Sequence, residues 1–111
     1  MNAKRLDGDL LNFWVAKAAG LQRSSVAPQV GEKYDPGSSE WHPNSFHPAS
    51  NWTHAARFLL SEWYDLEDWL ENWFGPEWSQ VPVFKGDPLP WFMRAYVASQ
   101  FGEILEDVDS V

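Results

Sequence analysis

The stretch Asp87-Pro-Leu-Pro-Trp-Phe-Met-Arg-Ala-Tyr-Val-Ala-Ser-Gln-Phe-Gly102 carries the start, the buried face and the end of one helix. Asp87 can cap the first turn, and Pro88 suits the first helical position because an N–H there would be unpaired anyway. Apolar side chains recur at the spacing of one buried helical face: Leu89, Phe92, Met93, Tyr96, Val97 and Phe101. Gly102 can adopt the positive φ that ends a helix. We therefore predict a helix here, and we expect the rest of the domain to pack around it.

Another helix is predicted near the start of the chain, over residues 9–19. One of its faces is apolar: Leu10, Leu11, Trp14, Val15 and Ala18. Asp7 or Asp9 can cap its N-terminus, where a negative charge also complements the helix dipole. Gly20 is expected to end the helix, with Leu21 folding back on the last turn in a Schellman-type contact.

The helical periodicity disappears over residues 23–50. Six helix-breaking residues interrupt this segment: Pro28, Gly31, Pro36, Gly37, Pro43 and Pro48. We predict a long, irregular and flexible loop, which is uncommon inside a compact domain. Two aromatic residues near its end, Trp41 and Phe46, are expected to pin it onto the domain.

Two more helices are predicted between this loop and the last helix. One begins near Asn51 or Thr53 and runs to about Trp63, with an apolar stripe wide enough to be well buried. Its apolar positions are Ala55, Ala56, Phe58, Leu59, Leu60 and Trp63. The other covers residues 65–75, where an acidic first turn and a Gly-Pro pair mark the two ends.

The remaining segments carry weaker signals. Residues 79–86 are expected to be a short extended piece, which Pro82 would restrict to an edge. Residues 103–111 form an acidic tail that should fray. The fold predicted for residues 1–111 is one small, mainly α domain of three or four short helices with a long irregular loop. An α+β domain with a short edge hairpin is the alternative, since the aromatic residues of 63–74 also favour strands.

Composition narrows the function by exclusion. The 111 residues fit one domain, and the formal net charge of −8 argues against direct nucleic-acid binding and against docking on an anionic membrane. The chain contains no Cys, which removes disulfides, thiolate chemistry and Cys-based zinc sites. The sequence shows no apolar run typical of a signal peptide or a membrane span, so a cytoplasmic location is expected.

Motifs of known chemistry are missing from the sequence. His42, His47 and His54 are spaced five and seven apart, so we expect three independent histidines rather than a metal site. Ser99 lies inside the last predicted helix, where its hydroxyl is expected to bond to the backbone. No catalytic residue, cofactor or metal is therefore predicted. The sequence favours a protein that is not an enzyme, without deciding the question.

Acidic and aromatic residues alternate in the second half of the chain. Between Arg57 and Lys85 there are six acids and no basic residue: Glu62, Asp65, Glu67, Asp68, Glu71 and Glu77. Four tryptophans lie among them: Trp63, Trp69, Trp73 and Trp78. Either these tryptophans pack in the core behind a solvated charged face, or they form an acidic, aromatic surface that binds a basic protein.

Arg94 is the lone basic residue of the last predicted helix. Its guanidinium can pair with a carboxylate of another helix or stack on a tryptophan. A structural ion pair is the favoured interpretation, ahead of a role in binding an anion.

Three blocks of the sequence point to a known family. They are Asp9-Leu-Leu-Asn-Phe-Trp-Val-Ala-Lys-Ala-Ala-Gly20, Pro48-Ala-Ser-Asn-Trp52 and the closing block of residues 86–102. In order and rough spacing they resemble the NinX-like family of small phage and prophage proteins, whose function is unknown; the segment after the middle block departs from the family pattern. The resemblance implies a phage-related accessory protein. It also implies a candidate shared site at the matching positions: Trp14, Lys17, Trp52, Arg94 and Tyr96.

Three functions stay open at this point. The leading hypothesis is a non-enzymatic accessory protein that acts through a protein partner, which the acidic charge suggests is basic. The alternative is a small-ligand binder or enzyme with a pocket between the first and last helices, using Lys17, Arg94 and a carboxylate. The third is an acidic mimic of nucleic acid, which would compete with DNA for a basic protein.

Overall fold

The protein is described by a computed structural model that covers residues 1–30 and 32–106. Within these ranges the chain forms five α-helices, one two-stranded sheet and two 3-10 turns. The helices are α1 (Gly8–Ala18), α2 (Trp52–Ser61), α3 (Trp63–Phe74), α4 (Pro82–Gly86) and α5 (Pro88–Phe101); the strands are β1 (Gln22–Arg23) and β2 (Glu40–Trp41); the 3-10 turns are Ala3–Arg5 and Trp78–Gln80. The mainly α fold predicted from the sequence is confirmed.

Helix α5 is the centre of the domain, as predicted. It packs against α1, α2, α3 and α4. Five apolar positions of its predicted face are buried: Leu89, Phe92, Met93, Tyr96 and Val97. The sixth position, Phe101, is partly exposed and lays its ring against Trp14, with 5.5 Å between the ring centroids.

The ends of α1 and α5 follow the glycine signals in the sequence. Gly20 has a φ of +73°, and the N–H of Leu21 donates to the carbonyl of Ala16 at 3.0 Å, which is the Schellman bond expected. Gly102 has a φ of +85°, and its N–H donates to the carbonyl of Ala98 at 2.7 Å. Both positions need a positive φ, which a residue with a Cβ rarely adopts.

The starts of the helices follow the sequence less closely. Asp7 and Asp87 occupy the positions before α1 and α5, but neither carboxylate accepts a capping hydrogen bond from any described residue, so these two cap predictions are wrong. Asn51 does cap α2, because its side-chain oxygen accepts from the N–H of Thr53 at 2.9 Å and of His54 at 3.3 Å.

The predicted loop of residues 23–50 begins at β1, returns at β2 to form a short parallel sheet, and then continues to α2. Gln22 of β1 pairs with Glu40 of β2 in parallel. The alternative of an α+β domain with a short edge hairpin is wrong, because residues 63–74 form helix α3 rather than strands. Trp41 and Phe46 are buried, as predicted for the residues that pin the loop.

A buried side-chain amide of α1 also holds the loop, through a hydrogen bond that the sequence did not indicate. The Oδ1 of Asn12 accepts from the backbone N–H of Ala49 at 2.9 Å.

Two further expectations differ from the structure. The extended piece expected over residues 79–86 is instead the end of a 3-10 turn followed by α4, because Pro82 opens the first turn of that helix rather than an edge strand. The tail predicted to fray over 103–111 is bonded at its start. The Ala3 N–H donates to the Glu103 carbonyl at 2.8 Å, and the adjoining Leu105 is buried. Residues 107–111 lie outside the described residues.

Candidate interaction surface

The outer side of α2 exposes a run of large apolar side chains. Trp52, Ala56 and Leu60 are spaced by four and share one helical face of α2, and the exposed Trp63 and Tyr64 follow them in the chain at the start of α3. We name these five residues the outer stripe. Leu60 is 84% exposed, Tyr64 82%, Trp52 52% and Trp63 38%. The prediction that the whole wide stripe of this helix is buried is therefore wrong for its outer half.

The opposite side of α2 explains why the outer stripe stays at the surface. Ala55 and Phe58 face inward and are buried, and Phe58 lies 4.9 Å from the ring of Tyr96 on α5. Glu62 leaves the helical conformation, with φ −126° and ψ 25°, and so separates α2 from α3. Because α2 meets α5 along this inner side, Ala56 and Leu60 on its second apolar side stay exposed.

One buried ring supports the tryptophans of the outer stripe. The ring of Phe92 on α5 lies 6.2 Å from that of Trp52, 5.6 Å from that of Trp63 and 6.3 Å from that of Trp78. Phe84 of α4 packs on the same ring at 5.3 Å, edge to face. The exposed tryptophans are therefore held from below by the core while their outer surfaces face solvent.

The charges that accompany the outer stripe are negative. All six acids between Arg57 and Lys85 belong to the stretch that ends α2, forms α3 and leads to α4. Four of them are exposed: Asp65, Asp68, Glu71 and Glu77. Asp68 and Glu71 follow Tyr64 by four and seven residues on the same face of α3, so a partner that covers Tyr64 would also meet carboxylates.

The four tryptophans singled out in the sequence fall into two groups. Trp63 and Trp78 lie on Phe92, next to or within the outer stripe. Trp69 and Trp73 lie against each other on α3, tilted by 46° with 5.7 Å between ring centroids, and the rings of Trp73 and Trp91 are 6.2 Å apart. The four residues do not form one surface, because Trp63 and Trp78 contact Phe92 whereas Trp73 contacts Trp91.

The second group forms what we name the inner cluster: Trp69, Trp73, Phe74, Trp91 and Arg94. Phe74 meets Trp91 edge to face at 4.7 Å between centroids. The indole N–H of Trp73 donates to the Glu103 carboxylate at 2.9 Å. The three rings that α3 contributes to the cluster, Trp69, Trp73 and Phe74, are half-buried, so the cluster joins the end of α3 to the start of α5.

Arg94 is the polar centre of the inner cluster. Its Nε donates to the carbonyl of Leu6 at 2.7 Å, and its guanidinium lies 4.4 Å from the centroid of Trp91. Its Nη2 is 3.7 Å from the Asp7 carboxylate, which is exposed, so that ion pair contributes little stability. Burial lowers the pKa of Arg94, whereas Asp7 and Asp87 raise it. These contacts confirm a structural role.

The positions matched by the family resemblance are not brought together. Lys17 lies at the end of α1, with its ammonium 5.4 Å from the ring of Trp14. Arg94 bonds to Leu6, just before α1 begins, so the length of that helix, about 15 Å at ~1.5 Å per residue, separates the two cations. Trp52 sits at the surface on Phe92, and Tyr96 packs elsewhere on Phe58. This arrangement gives no support to a pocket that uses both Lys17 and Arg94.

Two hollows in the structure lie along the loop. One, of about 270 Å³, is lined mainly by loop residues that include Tyr34, Trp41 and His42. The other, of about 470 Å³, is an open groove between the end of α1, the loop and α2, with Arg57 and Tyr96 in its wall. The Arg57 guanidinium is already bonded to the carbonyls of Pro36 at 2.6 Å and Ser38 at 3.3 Å, so it anchors the loop.

The described residues contain no arrangement that would hold a metal, since no three His, Asp or Glu side chains converge there. The Ser99 hydroxyl donates to the carbonyl of Tyr96 at 2.6 Å, as the sequence predicted.

The three histidines are not independent of one another, because His47 and His54 stack with 6.3 Å between their rings. Their separation of seven residues spans a loop, and helical spacing rules therefore could not detect the pair.

Comparison with known proteins adds no identification. No family model matches the chain, and no curated protein or solved structure matches it either. Among the residues that the structure describes, no helix is both long and apolar enough to cross a membrane. The resemblance to the NinX-like family stays an expectation from the sequence.

Proposed function

We propose that this protein is a non-enzymatic interaction module that binds a basic protein through the outer stripe. The observation that carries the proposal is the exposure of Trp52, Leu60, Trp63 and Tyr64, of which Trp52 and Trp63 lie on the same ring, that of Phe92. Contiguous apolar side chains on a surface, rimmed by polar groups, mark sites of interaction. Tryptophan and tyrosine are also the side chains that most often dominate binding energy at such sites.

The support beneath the outer stripe favours binding over accidental exposure. Trp52 and Trp63 pack on the buried ring of Phe92. These large side chains are therefore already partly ordered in the free protein, and binding costs less side-chain conformational entropy. The α2 helix also presents the stripe on a regular element that packs on α5. A preorganised apolar strip of this kind suits a partner helix or an extended segment.

Charge selects the kind of partner. A second copy of the chain would bring the same acid-rich segment, with six acids and no basic residue, against the first copy, and like charges would repel. A basic protein would gain from the same carboxylates, and its Lys or Arg side chains could stack on the exposed tryptophan rings. The charge pattern therefore supports a heteromeric complex over a homodimer.

The biological setting is part of the proposal and rests on the sequence. The resemblance of the first and last helices supports a phage or prophage accessory protein, and the sequence supports action in the cytoplasm. A bacterial lysate is therefore the source in which to look for the partner.

The test is affinity capture with a matched pair of variants. The outer stripe is changed by Leu60→Asp, and the control is Ile104→Asp, which replaces a 70% exposed apolar side chain away from the stripe. We expect the wild type and the control to retain the same basic protein and Leu60→Asp to lose it. Higher salt should weaken the capture, because the carboxylates at the margin are screened. Equal capture by all three proteins, or capture of no basic protein, would overturn the proposal.

A further inference from the structure

His54 joins the end of the loop to the first turn of α2. Its Nδ1 accepts a hydrogen bond from the backbone N–H of His47 at 3.0 Å. The imidazole also lies among rings from the loop. Phe46 stacks on it nearly in parallel, with an interplanar angle of 7° and 6.4 Å between centroids, and Tyr34 approaches to 4.9 Å.

The hydrogen bond from His47 requires one protonation state of His54. Nδ1 can accept this hydrogen bond only while it keeps its lone pair, so the neutral imidazole must carry its proton on Nε2. A second proton would place an N–H of His54 against the N–H of His47, and the bond would be lost. The third position of a helix is also unfavourable for a cation, because the N-terminal end of the helix dipole is positive.

The groups around His54 reinforce this preference for the neutral ring. Burial lowers the pKa of His54, and the neighbouring His47 lowers it further. Burial raises the pKa of Tyr34, with Arg57 opposing and Asp35 adding to the rise, so this phenol stays neutral in mild acid. Among the described residues, no carboxylate forms an ion pair that would stabilise a charged His54.

The segment closed by this bond leads directly into the outer stripe. The carbonyl of His47 accepts from the N–H of Ser50 at 3.1 Å and of Asn51 at 2.9 Å. Asn51 in turn caps α2, and Trp52 is the first residue of that helix. The hydrogen bond from His47 to His54 therefore holds residues 47–51 against the first turn of α2. The position of Trp52 depends on those residues.

We propose that His54 is an acid-sensitive latch, which holds residues 47–51 against α2 while it is neutral and releases them when it takes up a proton. Release frees the end of the loop and loosens the capped first turn of α2. The packing of α1 and α3 on α5 does not involve His54, so we expect that part of the core to stay folded. The latch goes beyond the proposed function and does not depend on it, since it acts in the free protein.

The test is hydrogen exchange at the backbone amide of His47, followed by NMR at about pH 7.5 and about pH 5. We expect the protection factor of this amide to fall at least tenfold in acid, the change produced by ~1.4 kcal/mol. Protection of the amides in α5 should stay unchanged, which distinguishes local release from global unfolding.

Two variants identify the group that titrates. His54→Asn keeps an acceptor near the place of Nδ1 but cannot be protonated, so its His47 amide should hold protection within about twofold across the same pH range. His47→Gln keeps the backbone donor and should still lose protection in acid. The proposal is overturned if the wild type keeps its protection at about pH 5, or if His54→Asn loses it as the wild type does.

Discussion

The inner cluster and the outer stripe both contain tryptophans from the acidic segment, but they differ in their surroundings: the first is packed between helices and the second is exposed to solvent. In the inner cluster, Trp73 donates to Glu103 and Arg94 bonds to Leu6 while it stacks on a ring, so the polar groups find partners within the fold. In the outer stripe, Leu60 and Tyr64 stand in solvent. Tryptophans in an acidic segment can thus join helices or lie at the surface. Which of the two occurs depends on whether another helix packs on the side of the helix that carries them.

The largest expected effect uses one substitution on the two sides of this comparison. Leu70→Ala removes a fully buried side chain of α3 and should lower the free energy of unfolding by about 2–5 kcal/mol. Leu60→Ala removes an exposed one and should change it by less than about 0.5 kcal/mol. Urea denaturation of both variants measures the two values. Similar losses for both would show that the outer stripe is packed in solution.

A second prediction concerns the polar centre of the inner cluster. Arg94→Lys keeps the charge but loses the planar group that stacks on Trp91 and donates through Nε to Leu6. We expect a loss of about 1.5–3 kcal/mol in the free energy of unfolding, the range for a hydrogen bond that involves a charged group. The control is Arg5→Lys, at an exposed position, which should unfold like the wild type. Equal stability of the Arg94 variant would mean that charge alone matters there.

A third prediction compares one tryptophan from each group. Trp73→Phe removes the N–H that Glu103 accepts and should cost about 1 kcal/mol of stability. Trp63→Phe keeps an aromatic ring against Phe92 and should leave stability nearly unchanged. Thermal and urea unfolding of the two variants report the difference. An equal cost at both positions would remove the distinction between the groups.

The last expected effect is a loss of global stability in mild acid that arises at His54. The pKa of His54 is lowered in the folded state, whereas the unfolded chain takes up the proton near pH ~6.5. The contribution of His54 is therefore present above pH ~6.5 and is lost as pH falls through its folded pKa. Urea midpoints at a series of pH values should show this fall in the wild type. They should show a smaller fall in His54→Asn.

Local signals predicted the elements whose ends and faces lie in one short stretch. For α1 and α5 the bounds agree within one or two residues, because glycine, proline and helical spacing act locally. The sequence also predicted the types of contact that Arg94 makes, namely a carboxylate and a tryptophan ring. Its partners, Leu6 and Trp91, were not identified, since one of them lies far away in the chain.

The misses have a common physical cause, which is that they depend on where other elements lie. The spacing of Leu60 defines an apolar face, but it does not say whether α5 or a partner covers that face. Pro82 suits an edge strand and the first turn of a helix equally well, and packing selected the helix. The pairing of His47 with His54 arises from a loop that folds back, which helical periodicity does not report.

The most direct test of the outer stripe as a docking surface is hydroxyl-radical footprinting of the protein, free and in the captured complex. In the free protein, Trp52, Trp63 and Tyr64 should all be oxidised, as should Phe101, which is 42% exposed next to Trp14. The complex should show strong protection at the three residues of the stripe and none at Phe101. Protection at Phe101 with continued oxidation of Trp63 and Tyr64 would contradict the assignment of this surface.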